Sequence, residues 1–341
     1  MSRETGPPPY VRRRPTITDV AAAAGVSVST VSSAMNGTGR VDPATRERVR
    51  ATAAELGWRP RRAAQALRSG RTGTVALCIP PDRAHWARWM RDSDYLQQLT
   101  VACAASAIEA GLLMLLAPRP SGADELARLD VDGMLLLDPF RDDPVAAACT
   151  AAGLALVTVD REPGREDGWW AGNDHSAATL LALDHLDRRG ARRVALFSGA
   201  EPWAWLEDTR RAYDGWCADR GTAPVVRTLG MDRTIVDAAD AARTLPADVD
   251  AVLALPTDAA LGVRRAAPGL AVVSGVDTTA VATAGITALD LRPTELGEAA
   301  VALLVRRLAG AAPGPVVVPA RLRVRDQPSD AASFGTNPSS R

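Results

Sequence analysis

Residues 16–60 read TITDVAAAAGVSVSTVSSAMNGTGRVDPATRERVRATAAELGWRP. Thr16, followed three residues later by Asp19, is typical of a capping box, so we expect a short helix to begin there. Gly25 ends this helix, and a second one is expected over residues 28–36. Two short helices joined by a tight turn that contains glycine predict a helix-turn-helix.

The spacing of small and apolar residues supports a three-helix domain. Ala21 lets the first two helices approach closely, Val31 fills the core between them, and Ser27 caps the second helix. A third helix is expected to begin at Asp42-Pro43, where aspartate caps and proline fits the first turn, and to end at Leu56-Gly57. The sequence therefore predicts a small all-α head.

The outer face of the second helix decides between a plain three-helix bundle and a DNA-binding head. Its side chains are polar and uncharged, and they can lie against phosphates and base edges at little desolvation cost. They are Ser29, Thr30, Ser32 and Ser33. The polar, uncharged character of this face favours a DNA-binding head over a plain three-helix bundle.

Charge is unevenly distributed along the chain. The 341 residues include 40 basic and 40 acidic ones, so the formal net charge is zero. Residues 1–71, however, hold thirteen arginines and five acidic residues. A basic head on an acidic body fits nucleic-acid binding at one end.

The stretch 16–60 closely resembles the DNA-binding head of the LacI/GalR family. The resemblance rests on AGVS-x-x-TVS, the asparagine after it, V-x-x-x-TR-x-RV and ELGW-x-P. It implies a head over residues 16–58, preceded by a disordered basic arm at residues 1–15. By resemblance, Val28, Ser29 and Ser33 contact bases in the major groove, and the phosphate contacts come from Thr16, Ser27, Thr30, Ser32 and Asn36.

Residues 59–72 follow the head as a hinge. Pro60 breaks the third helix, and the segment RRAAQALRSG is too short to form a stable helix alone. In the family this hinge pairs on DNA and wedges a leucine into the minor groove, which here is Leu67. The alternative is that Leu67 packs on the body. The hinge residues predicted to contact DNA are Arg62, Ala64, Leu67 and Arg68.

Residues 73–326 change to short apolar runs that alternate with alanine-rich helical stretches, a pattern that predicts parallel sheets with crossover helices. The expected strands are TVALCIP, LLMLLAP, VDGMLLLD, LALVTVD, RRVALFSG, AVLALP and LAVVSGVD. Their number indicates two lobes. The region resembles the family's type I periplasmic-binding-protein-like body, with ITALDLRP as a crossover before a helix over residues 294–308. Residues 327–341 are expected to be a disordered tail.

Ligands of open α/β sheets lie beyond the carboxyl ends of the strands. Tryptophans there can stack on sugar faces while carboxylates bind hydroxyls, so a saccharide or another polyol is the leading effector class. The alternative is that some tryptophans fill lobe or dimer contacts. The predicted effector-binding residues are Asp82, Trp86, Trp89, Asp160, Arg161, Trp203, Trp205, Arg210, Arg211 and Asp277. By resemblance, Asp160 and Asp277 also match family residues that bind the effector.

Two departures from the family's pattern bear on this ligand. Arg210 and Arg211 stand one place out of register with Gly215-Trp216, and Pro256-Thr257 replaces the usual Asn-Asp. Either this protein binds a different ligand from the one usual in the family, or its effector pocket has degenerated and no longer binds a ligand.

The rival classes are an enzyme and a secreted sugar-binding protein. No phosphate-binding glycine loop or nucleophile elbow occurs, and His85, His175 and His185 lack metal-ligand spacing, so neither an enzyme, a cofactor nor a metal is expected. The polar start of the chain lacks the apolar stretch of a secretory signal, which favours a cytoplasmic protein without a membrane segment. A homodimer on a pseudo-palindromic operator is the expected assembly.

Overall fold

The computed structural model describes residues 15–58, 70–79, 90, 93–230 and 234–325. Within these ranges the chain divides into two compact units, with the boundary between Thr72 and Gly73. We call the first unit the head and the second the body.

The head is a three-helix domain. Its helices are α1 (Ile17–Ala24), α2 (Val28–Asn36) and α3 (Pro43–Glu55). Thr16 and Asp19 form the predicted capping box, and Gly25 ends α1 with a φ of 66°, a left-handed conformation that favours glycine. The predicted helices are therefore confirmed.

The axes of α1 and α2 meet at 99°, within the range of a helix-turn-helix. The buried core between the three helices consists of Val20, Ala21, Ala24, Val31, Ala34, Val49, Ala53 and Trp58. The apolar residues that the sequence placed between the helices thus hold the head together, and α2 is left with one face toward solvent.

The body contains two six-stranded sheets flanked by helices. Its helices are α4 (Asp94–Glu109), α5 (Ala123–Arg128), α6 (Pro144–Ala151), α7 (His175–Arg188), α8 (Ala204–Asp219), α9 (Thr234–Arg243), α10 (Ala259–Ala266), α11 (Thr279–Thr283) and α12 (Pro293–Leu308). Its strands are β1 (Thr74–Ile79), β2 (Leu113–Pro118), β3 (Gly133–Leu137), β4 (Ala155–Val159), β5 (Trp170–Gly172), β6 (Val194–Ser198), β7 (Val225–Thr228), β8 (Ala251–Ala254), β9 (Ala271–Ser274), β10 (Thr287–Asp290), β11 (Val316–Val317) and β12 (Arg321–Arg323).

Each sheet is the centre of one lobe. Lobe 1 has the strand order β11-β5-β4-β3-β1-β2, all parallel, and lobe 2 has the order β12-β10-β9-β8-β6-β7, parallel except for β12. Apolar clusters cover both faces of both sheets, as parallel sheets require. The seven predicted strands are all present. The prediction missed five strands, β5, β7, β10, β11 and β12. Of these, β5, β11 and β12 have only two or three residues, and β7 (VVRT) and β10 (TALD) are four-residue strands that mix polar with apolar residues.

The chain crosses between the lobes three times: from β5 to α7, from β10 to α12, and from β11 to β12. The segment ITALDLRP contains β10 and the second crossing, and α12 then packs on lobe 1, as predicted. Asn173 lies in the first crossing and ties all three together. Its Nδ2 donates to Leu291 O at 3.1 Å and to Val318 O at 2.7 Å.

Among the described residues, no single helix is long and apolar enough to cross a membrane. The helices α1 and α2, taken together as one pair with a bend between them, could span a membrane by their length and composition alone.

Candidate DNA interface and effector cavity

The exposed face of α2 is the candidate DNA interface. Val31 and Ala34 face the core, while Ser27, Val28 and Ser29 are exposed at the start of the helix. Val28 has 42% of its surface accessible. An exposed methyl group beside hydroxyls can contact a thymine methyl in the major groove.

Hydroxyl groups of this face form a local network. Ser27 Oγ lies 2.8 Å from both Ser29 Oγ and Thr30 Oγ1, and it accepts from Thr30 N at 3.1 Å. Asn36 Nδ2 donates to Ser32 O at 2.6 Å. These groups are uncharged and solvent-accessible, so they can exchange partners with phosphates and base edges without leaving a buried charge unpaired.

Ser33 is half-buried on α2, and Thr16 is half-buried with its Oγ1 donating to Asp19 Oδ2 at 2.8 Å. The structure therefore brings the eight predicted head residues onto or beside α2 and the start of α1. The predicted hinge residues lie outside the described residues, and so do three predicted effector residues. These are Arg62, Ala64, Leu67, Arg68, Asp82, Trp86 and Trp89.

A cavity of about 510 Å³ lies between the two lobes at the carboxyl ends of their central strands. Lobe 1 contributes the ends of β3 and β4 and the start of α4, and lobe 2 contributes the segments after β6, β8 and β9. Its polar lining consists of Ser93, Asp138, Asp160, His175, Thr179, Glu201, Thr209, Thr234, Thr257 and Asp258. Among the described lining residues there is neither arginine nor lysine.

Asp160 and His175 join the lobes at the floor of the cavity. Asp160 follows β4 with a φ of 64°, and its Oδ1 lies 3.2 Å from His175 Nε2 and accepts from Asn173 N at 3.2 Å. A Cβ on Gly172 would lie 2.4 Å from the same Oδ1, so the close approach of β5 to this carboxylate requires glycine. The cavity carboxylate thus contacts the crossing that holds Asn173.

Asp138, at the end of β3, is the second carboxylate of this floor. Burial, reinforced by the neighbouring Asp160, raises the pKa of Asp138 from 3.8 to about 8, although Trp205 donates a hydrogen bond to it. Burial lowers the pKa of His175, but the charge of Asp160 and its hydrogen bond with the imidazole outweigh burial, so this pKa lies above its ordinary value. At neutral pH the floor therefore holds a protonated Asp138 that can both donate and accept a hydrogen bond.

Two indoles form one wall. Trp203 and Trp205 stack with centroids 5.8 Å apart and an interplanar angle of 21°, and His175 lies 5.9 Å from Trp205. The buried atoms Trp203 Nε1 and Glu201 Oε2 have no hydrogen-bond partner among the described residues. Trp203 is only 3% exposed, whereas Trp205 is half-buried, so an apolar ring face of a polyhydroxylated ligand can stack on Trp205.

The other predicted effector residues lie outside this cavity. Arg161 and Arg211 both pair with Asp208 and line a second cavity of about 390 Å³, which also contacts Asp160, His175 and Trp205. Arg210 pairs with Asp214 on α8 at 2.8 Å. Asp277 pairs with Arg325 at 2.8 Å. Neither arginine that stood out of register therefore lines the main cavity.

Five lining residues with titratable side chains were missed by the sequence reasoning. Asp138 ends a predicted strand, so the rule that identified Asp160 could have identified it as well. The other four are Tyr95, His175, Glu201 and Asp258, which reach the cavity from helix starts and loops whose positions depend on the lobe arrangement. No group of three or more potential metal ligands occurs among the described residues.

Two family models match the chain. The model of bacterial regulatory proteins, lacI family, matches residues 16–61, and that of a periplasmic binding protein-like domain matches residues 183–326. Together with the geometry, they define a DNA-binding regulatory protein with a helix-turn-helix head and a two-lobed body. The resemblance found in the sequence and the predicted fold class are confirmed.

Curated relatives identify the family. The HTH-type transcriptional regulator CelR of Thermobifida fusca is 33% identical over 347 aligned positions, covering 92% of this chain and 98% of that protein. The maltose regulon regulatory protein MalI of Escherichia coli (strain K12) is 30% identical over 54% of each chain. This chain belongs to the LacI family of bacterial transcription regulators. Both of these relatives are regulators and not enzymes.

Solved structures agree with this assignment. A CelR–cellobiose complex matches with a TM-score of 0.65 and 27% identity over 92% of this chain and 100% of that chain. A lac repressor dimer bound to operator and the anti-inducer ONPF matches with a TM-score of 0.78 and 23% identity over 92% of this chain and 99% of that chain. The second match shows the fold alone.

Proposed function

We propose that this chain is a cytoplasmic repressor that binds a pseudo-palindromic operator as a homodimer, and that a saccharide bound in the cavity between the lobes controls its operator affinity. The observation that carries the proposal is the cavity itself. It combines stacked indoles, carboxylates from both lobes and two buried polar atoms that have no partner among the described residues. The head of the same chain carries an uncharged hydroxyl face on α2.

The chemistry of the lining favours an uncharged sugar. Carboxylates accept from hydroxyls, the protonated Asp138 can donate to one, and the indole faces cover the apolar side of a pyranose ring. An anionic ligand would face Asp160, Glu201 and Asp258 without a described arginine or lysine to balance it. CelR, whose solved complex contains cellobiose, is related over nearly the whole chain, and this supports a saccharide.

The homodimer is supported by an exposed apolar surface on lobe 1. It comprises one side of α4 and the edge strand β2, where large apolar side chains are accessible: Val101, Ile108, Leu113 and Leu115. A contiguous exposed apolar patch at a sheet edge is typical of a protein interface. Two heads held by one dimer would read two half-sites related by two-fold symmetry.

Operator control follows from linkage. If the saccharide binds one arrangement of the lobes better than another, and DNA likewise favours one, each ligand changes the affinity of the other by the same factor. The proposal includes no catalytic step, because the described lining residues present hydrogen-bonding groups and ring faces, and among them no nucleophile pairs with a base.

Selection of bound duplexes from a random DNA pool at two salt concentrations tests the DNA-binding part. We expect a pseudo-palindrome, and Ser29→Ala should relax base preference within each half-site while the salt dependence stays the same, because Ser29 contacts bases and not phosphates. Recovery of only salt-sensitive, sequence-independent binding would contradict the proposal.

Fluorescence anisotropy of the selected operator, titrated with cellobiose, other neutral disaccharides and sugar phosphates, tests the effector part. We expect a neutral saccharide to change operator affinity and Trp203→Ala to abolish the change. Arg210→Ala is the matched control, because Arg210 pairs with Asp214 away from the cavity. A response to sugar phosphates alone would contradict an uncharged effector.

A further inference from the structure

The first two turns of α8 lie where the main cavity meets lobe 1. Trp203 and Trp205 line the main cavity, and Asp208, three residues after Trp205, lines the second cavity beside it. Residues three apart on a helix share a face. Because Leu206, Tyr213 and the other buried side chains of α8 pack among those of the lobe 2 sheet, this helix moves with lobe 2.

Asp208 is paired across the boundary between the lobes. Its partner Arg161 directly follows Asp160 at the end of β4 in lobe 1, and the two side chains are only 14% and 10% exposed. Arg211, one turn further along α8, donates to the same Asp208 Oδ1 at 3.0 Å. One carboxylate of lobe 2 therefore holds a lobe 1 arginine in a mostly buried, hydrogen-bonded ion pair.

Among the described residues, the lobes share a second mostly buried contact at the cavity floor, between His175 Nε2 and Asp160 Oδ1 at 3.2 Å, which is an ion pair only when the imidazole is protonated. Two other polar contacts between the lobes are weaker. Arg141 and Glu207 approach to 3.2 Å, but their side chains are 55% and 36% exposed. Thr279 N donates to Asp94 Oδ2 at 2.5 Å, and in this contact only the Asp94 carboxylate carries a charge. An exposed pair contributes little because water and salt screen it, whereas a buried, hydrogen-bonded pair is screened less.

Removal of the Asp208 charge would leave Arg161 poorly compensated. Within the described ranges, the other carboxylate that pairs with Arg161 is Glu166, which lies 3.6 Å away and is 81% exposed. A buried cation without a close partner favours any arrangement in which it regains water. Opening of the lobes is such an arrangement, because Arg161 lies at their boundary.

We propose that Asp208 is a positioning residue that holds the two lobes together through Arg161, and so sets the equilibrium between closed and open lobes that an effector must shift. The same helical segment carries Trp203 and Trp205, so a ligand that stacks on the indoles stabilises the segment that carries the ion pair. This coupling to a ligand depends on the proposed effector function, but the closing role of Asp208 does not.

Single-molecule energy transfer on the full chain tests the closing role without DNA or sugar. Dyes attached at Ala147→Cys in lobe 1 and Ala247→Cys in lobe 2 report the lobe separation, and the four native cysteines are buried. We expect Asp208→Asn to shorten the dwell time of the closed state about 30-fold, or about 2 kcal/mol at 1.4 kcal/mol per tenfold change. Glu207→Gln, which breaks the exposed pair, should shorten it less than about 5-fold.

A double-mutant cycle separates pairing from a general loss of structure. Arg161→Gln alone should shorten the dwell time of the closed state as much as Asp208→Asn does. The double variant should shorten it no further than either single variant, because the same ion pair is lost in all three. A dwell time within 5-fold of the parent for Asp208→Asn, or additive effects in the double variant, would overturn the proposal. The expected shortening of the dwell time, together with no response of the parent to any saccharide, would support the closing role of Asp208 and contradict the proposed effector function.

Discussion

Asp138 offers a quantitative test of the cavity floor. Its pKa is raised from 3.8 to about 8, so between these values the folded protein keeps a proton that the unfolded chain releases. The folded state then binds more protons, and the free energy of unfolding must fall as pH rises through this window. His175, whose pKa also lies above its ordinary 6.5, adds a fall of the same sign only above about pH 6.5.

The window from pH 5 to 6.5 therefore isolates Asp138. One proton released on unfolding changes the free energy of unfolding by about 1.4 kcal/mol per pH unit, or about 2 kcal/mol across this window. Asp138→Asn keeps an acceptor for Trp205 and removes the titration. We expect the free energy of unfolding of the variant to lack this fall of about 2 kcal/mol between pH 5 and 6.5. The variant should therefore be more stable than the parent at pH 6.5.

Urea unfolding of the body, followed by circular dichroism at pH 5.0, 5.5, 6.0 and 6.5, measures the effect. Asp219→Asn, at the exposed C-terminal end of α8, is the control for removal of one aspartate. Parallel pH profiles for the parent and Asp138→Asn would refute the argument that burial and Asp160 keep Asp138 protonated.

Three further substitutions test the fold and the hinge. Tyr213→Phe should destabilise the body by about 1–3 kcal/mol in urea unfolding, because the fully buried hydroxyl bonds the backbone of both β6 and β7 at 2.8–3.1 Å. Asn173→Ala should lower the free energy of unfolding by a similar amount, because it leaves the carbonyls of Leu291 and Val318 in the other two crossings without this donor. An unchanged unfolding midpoint would argue against the role of Asn173 in joining the crossings. Leu67→Ala should weaken specific operator binding far more than non-specific binding in anisotropy titrations, and equal losses on both DNAs would reject the wedge.

Local chemistry made the head predictable. A capping box, a glycine in the turn and a proline in the first helical turn each specify backbone conformation within a few residues, so the helix bounds follow from the sequence. The hydroxyl face of α2 followed as well, because helical periodicity alone separates Ser29 from the buried Val31.

The body was predictable where strands were long and apolar. Five strands, β5, β7, β10, β11 and β12, were not predicted, because strands that are very short or partly polar are defined by the neighbours with which they pair. Asp160 could be selected because a ligand of a parallel sheet lies beyond the strand ends. The same rule selected Asp277, whose side chain instead pairs with Arg325 from the end of the chain.

By itself, the sequence determined the helix-turn-helix head, the parallel character of the body and the carboxyl ends at which a site should be sought, since each depends on residues close together in the chain. Only the tertiary structure decided which side chains share the cavity. The approach of His175 to Asp160, the raised pKa of Asp138 and the pairing of Arg161 with Asp208 all join distant segments. Their positions follow from how three crossings place one lobe against the other.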